Sequence, residues 1–68
     1  MRSPRIAARR QAEFRARIEA GGLDADEVAR MLRAYRAGYA DALAGEPPRP
    51  PAGANAALAY IAGGLDAA

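Results

Sequence analysis

The sequence predicts an all-α fold: a small three-helix protein with helices over about 5–20, 25–44 and 56–63, and a proline-rich connector between the second and third. Three observations carry this. Apolar residues recur at three- and four-residue spacing, glycine pairs punctuate the chain at Gly21–Gly22 and Gly63–Gly64, and no strand pattern appears. The 68 residues make a single domain, a basic N-terminal helix over 1–23 followed by a helical hairpin over 24–68.

In the first helix Pro4 suits the opening turn, and Ala7, Phe14 and Ile18 mark a narrow apolar stripe. Glu13 with Arg17 and Arg15 with Glu19 stand four residues apart, where opposite charges support a helix by a few tenths of a kcal/mol. Gly21 and Gly22 supply the left-handed geometry that ends it, and Leu23 folds back as the hydrophobic contact of that cap.

Asp24 is the N-cap of the second helix, with Glu27 three residues on as its reciprocal partner and Asp26 beside the positive helix end. The apolar set Val28, Met31, Leu32, Tyr35, Tyr39, Ala42 and Leu43 has the spacing of one buried face, and Gly45 stops the helix. Inside it, Gly38 costs about 1 kcal/mol against alanine. A glycine kept there between Tyr35 and Tyr39 points to close backbone approach, and so to the place where the third helix packs. Arg30, Arg33 and Arg36 follow one another at three-residue steps as a short basic ridge, with Asp26 able to pair with Arg30.

Four prolines in residues 46–53 exclude helix and central strand and make a rigid turn. Asn55 then caps the third helix, which places Leu58, Ile61, Ala62 and Leu65 on its packed face and Tyr60 elsewhere. Gly63 and Gly64 end it, and Leu65 returns to the core. The phrase AGGLDA, at 20–25 and again at 62–67, reads as a shared helix stop. A helix this short packs on the second because it is unstable alone.

The chain has no histidine and no cysteine, which removes the commonest general base, the commonest nucleophile and most transition-metal sites. Asp24, Asp26 and Glu27 are explained by capping. The expectation is therefore no enzyme, no catalytic residue, no metal and no cofactor. The net charge of +2 is concentrated at the N-terminus, where Arg2, Arg5, Arg9, Arg10, Arg15 and Arg17 face Glu13 and Glu19. Such an arm suits a polyanion, although all ten basic residues are arginine, as a GC-rich genome would also produce. No segment approaches the roughly 20 apolar residues of a membrane span, and Met1–Arg10 lacks the apolar core of a secretory signal, so a cytoplasmic protein with no membrane partner is expected.

Residues 33–68 resemble the ribosome modulation factor family. The matching residues are Ala34, Tyr35, the pair Gly38 and Tyr39, then Ala44 and Gly45, followed after a proline-bearing loop by Ile61, Gly63, Gly64 and Leu65. Ile61 and Leu65 stand where that family tends to carry tryptophans. The resemblance implies a structural signature of Tyr35, Gly38, Tyr39, Gly45, Gly63 and Gly64. It also implies binding to ribosomal RNA, with modulation of translation and ribosome hibernation. By residue type the RNA contacts are Arg5, Arg9, Arg10, Arg15, Arg17, Arg30, Arg33 and Arg36. Two other readings stay open from the residues alone: a small helical adaptor or inhibitor of the kind phages and mobile elements encode, bound to a single protein partner, and a DNA-binding or self-associating helical module.

Overall fold

The computed structural model describes residues 4–68, so Arg2 lies outside the described residues. Three helices make up the fold: α1 over Pro4–Ala20, α2 over Ala25–Leu43 and α3 over Ala54–Ala67. The all-α, three-helix expectation holds.

The helix ends at Gly22, Asp24 and Gly45 form where expected, but the reciprocal half of the capping box does not, because Glu27 turns its carboxylate to Arg30 and Asn55. Gly22 takes φ +85°, and its N–H donates to the Glu19 carbonyl at 3.1 Å. Asp24 Oδ1 accepts from the Glu27 N–H at 2.8 Å, which caps α2. At the other end of α2, Gly45 sits at φ +71°. Its N–H donates to Ala42 and that of Glu46 to Asp41, at 3.2 and 2.9 Å, which satisfies two carbonyls the helix leaves open.

The third helix corrects the sequence reading in three ways. It is fourteen residues long, because Gly63 and Gly64 continue it where a stop was expected. Its N-cap is Gly53, at φ +95°, so Asn55 is inside the helix and its amide reaches Glu27 Oε1 at 3.4 Å instead of capping. The packed face is also a different one. Ala59, Tyr60, Gly63 and Ala67 are buried, while Leu58, Ile61 and Leu65 are 63%, 48% and 70% exposed.

The reason lies in a repeat shared by α2 and α3, which do not form the expected hairpin: the start of α3 lies beside Glu27 and Arg30, near the start of α2. Residues 34–42, AYRAGYADA, and residues 59–67, AYIAGGLDA, share Ala, Tyr, Ala, Gly, Asp and Ala at matching places 25 positions apart. The two copies pack against each other reciprocally. A Cβ on Gly38 would stand 2.8 Å from the Tyr60 carbonyl carbon, and one on Gly63 would stand 2.9 Å from that of Tyr35. No side chain fits at either place, so the backbones of α2 and α3 touch. The Tyr35 hydroxyl donates to the Asp66 carboxylate, and the Tyr60 hydroxyl donates to that of Asp41. Tyr60 also accepts the Arg49 N–H at 3.0 Å, which ties the connector down. A turn of α3 that ended at Gly63 would lose Asp66 and half of this arrangement.

α1 packs on α2 and reaches α3. Phe14 stacks on Tyr35 with ring centroids 4.6 Å apart, an arrangement worth about 0.5–1.5 kcal/mol beyond area burial. Arg10 donates to the Asp66 carbonyl at 2.8 Å. The core is then Phe14, Val28, Met31, Leu32, Ala34, Tyr35, Tyr39, Ala59, Tyr60 and Ala67, with Ala7, Ile18 and Leu23 packed at its edge. Ala42 and Leu43, expected on the buried face of α2, are exposed.

Candidate nucleic-acid interface

The eight candidate arginines are distributed over four different settings. Arg15, Arg33 and Arg36 line one groove of about 590 Å³ between α1 and the first half of α2, floored by Val28 and Leu32. Arg33 and Arg36 flank the buried stripe of α2 at three-residue spacing, and the Gly21–Gly22 turn brings Arg15 across from them. Arg15 Nε pairs with Glu19 Oε2 at 3.2 Å, where 59% and 51% of the two side chains remain exposed. Exposed pairs of this kind contribute about 0–1 kcal/mol and yield readily to a phosphate. Arg33 and Arg36 have no acidic partner among the described residues, and both are exposed.

A second cluster, Arg9, Arg10 and Arg17, lies on α1 with Ile6, Glu13 and Asp66 around it. Its cations have contacts too, but of these only Arg10 is bonded to another helix, and the Arg9–Glu13 pair is more exposed than Arg15–Glu19. Arg9 lies 3.8 Å from Glu13, Arg10 is bonded to Asp66, and the Arg17 guanidinium stands 5.9 Å from the Phe14 ring centre. The expected pair of Glu13 with Arg17 is thus replaced by Glu13 with Arg9. Arg5 is exposed and lines neither cluster.

Arg30 leaves the ridge that its spacing suggests. Glu27 captures it instead of Asp26, with Nη2 and Nε at 2.9 and 3.2 Å from a single carboxylate oxygen. The hydrogen bond to Glu27, followed by its charge, pushes the guanidinium pKa up. Glu27 therefore serves Arg30 and Asn55, and Arg30 is a structural residue next to the groove.

The signature aromatics are core residues. Tyr35 and Tyr39 are 1% and 8% exposed, so neither presents a ring face to an unpaired base. Burial, then the hydrogen bond to Asp66, pushes the Tyr35 hydroxyl pKa up, and the hydrogen bond to Asp41 does the same to Tyr60. Tyr39 is the exception in this set: its buried hydroxyl has no hydrogen-bond partner among the described residues. Sequence reasoning missed the roles of Asp41, Tyr60 and Asp66, which the 25-residue repeat would have signalled. Among the described residues no group of acids could hold a metal ion, and no helix is long and apolar enough to cross a membrane.

Compared with known proteins, the chain matches no protein family, no curated protein and no solved structure.

Proposed function

We propose that this chain is a small RNA-binding protein that associates with the ribosome through ribosomal RNA and modulates translation, holding ribosomes idle during slow growth. The observation that supports the reading is the α1–α2 groove, where Arg15, Arg33 and Arg36 converge and two of the three have no internal counter-charge among the described residues. Guanidinium groups so placed contact phosphates in pairs of hydrogen bonds and read no sequence, which suits a folded RNA surface. The likeness of residues 33–68 to ribosome modulation factors points the same way.

Sucrose-gradient sedimentation with ribosomes tests the reading. The expected result is co-migration at low salt that falls away steeply as salt rises, because phosphate neutralisation releases counterions. Protein left at the top of the gradient at low salt overturns it. A single stoichiometric protein partner that survives nuclease treatment replaces it with the adaptor reading.

A further inference from the structure

Of the eight isoleucine and leucine residues in the chain, Leu32 alone is buried. Leu58, Ile61 and Leu65 make an unbroken apolar stripe along the outer side of α3, the side turned away from Tyr35 and Gly38. A patch of this kind is larger than the scattered apolar residues of an ordinary surface. We infer that this stripe is the contact through which the chain pairs with a second copy of itself, α3 against α3 in antiparallel orientation about a twofold axis between Ile61 and Ala62. The inference does not rest on the RNA reading.

Three features select a second copy as the occupant. The first is charge: Asp66 is the only charged residue in α3, and it is turned to Tyr35 and Arg10. The stripe itself carries no charge for a charged partner to recognise, and two copies bring no like charges together along it. The second is spacing. Leu58 and Leu65 lie symmetrically about Ile61 and its neighbour Ala62, so antiparallel pairing sets Leu58 of each copy against Leu65 of the other. Self-complementarity of this kind is what a twofold contact requires, and opposed helix dipoles favour it.

The third feature is shape. Beside Ile61 and Leu65 runs a groove of about 260 Å³ with Gly64 and Gly38 at its base, Ala42 and Pro48 on its far wall, and Asp41 and Glu46 also in its lining. It exists because α3 has Gly64 where the matching place of α2 has Tyr39. In the antiparallel pair, Leu58 of the copy falls over this groove and fills it. A specific dimer needs about 600 Å² from each protomer, roughly an eighth of the 4626 Å² this chain exposes. The stripe and groove together, along a helix about 21 Å long, provide a face of that order.

Sedimentation equilibrium of the full chain from about 10 to about 300 µM is the test, a range that captures a dimer of modest affinity. The mass should rise from 7.1 kDa toward twice that value. Ile61→Glu, at a site 48% exposed, should leave the helical circular dichroism unchanged and weaken pairing at least tenfold, since it places two carboxylates across the axis. The chain has no cysteine, so under mild oxidation Ile61→Cys should cross-link to itself, and Leu58→Cys should cross-link preferentially to Leu65→Cys. A 7.1 kDa species throughout, or a dimer indifferent to Ile61→Glu, overturns the inference; the first of these outcomes would leave the stripe to a different protein.

Discussion

Gly38 and Gly63 occupy equivalent places in the two copies of the repeat, and each admits the carbonyl of the tyrosine that precedes the other by three residues. Backbone contact at this one crossing fixes how α2 and α3 lie, and through Tyr35 it fixes the seat of α1.

Replacing either glycine forces the helices apart. Gly38→Ala and Gly63→Ala should each lower stability by about 2 kcal/mol or more, since the added methyl meets immovable backbone and outweighs the helix propensity it gains. Gly64→Ala is the contrasting case. Its Cβ would meet the Gly38 carbonyl oxygen at 3.7 Å, an ordinary contact, so it should stabilise by up to about 1 kcal/mol. Urea denaturation of the three variants checks the order. Against about 3–10 kcal/mol for a chain of this size, the first two losses are large.

The three tyrosine hydroxyls should separate in the same assay. Tyr35→Phe leaves the Asp66 carboxylate without its donor and should cost about 1.5–3 kcal/mol. Tyr39→Phe removes a hydroxyl that is buried without a partner among the described residues, and should be neutral or stabilising by about 1 kcal/mol. Tyr60→Phe should destabilise, because it frees both Asp41 and the Arg49 N–H.

Alkaline pH gives an independent reading of the Tyr35 contact. Its hydroxyl pKa is raised in the folded state, while the unfolded chain titrates near 10. Stability from this contact is therefore intact below about pH 10 and is lost as pH climbs toward the folded value, at about 1.4 kcal/mol per pH unit for one proton. Thermal melts across that range should show Tm falling above pH 10, with a shallower fall in Tyr35→Phe.

Local rules made the first two helices legible. Asp24, Gly22 and Gly45 act within one turn of their own position, and each end forms where its residue type places it. Gly38 was legible as a close approach because a glycine flanked by helix formers has no other reason to be there. The same logic applied to Gly63 and was obscured by Gly64, since a glycine pair is also the commonest helix stop. Matching residues 34–42 with 59–67 resolves the ambiguity, for if Gly38 lies mid-helix then so does Gly63. Arginine placement was less legible. Arg30, Arg33 and Arg36 have identical spacing, and only the path of Glu27 separates the first from the other two. That Arg15 crosses to meet Arg33 and Arg36 depends on how α1 lies on α2 and α3, which Phe14 and Arg10 decide through contacts distant in sequence.

The groove predicts a division among the arginines. Arg33→Ala and Arg36→Ala should weaken RNA binding about equally for unrelated sequences, each lowering the salt dependence by about one counterion. Arg10→Ala should act mainly on stability, through Asp66.

The most direct test is fluorescence titration of a ribosomal RNA fragment against salt, comparing the parent chain with the double variant Arg33→Ala/Arg36→Ala and with Arg30→Ala. The groove predicts that the double variant loses affinity at least tenfold and that its salt slope becomes shallower by about two, while Arg30→Ala stays close to the parent. Equal losses in the two variants, or no salt-dependent binding by the parent, would contradict it.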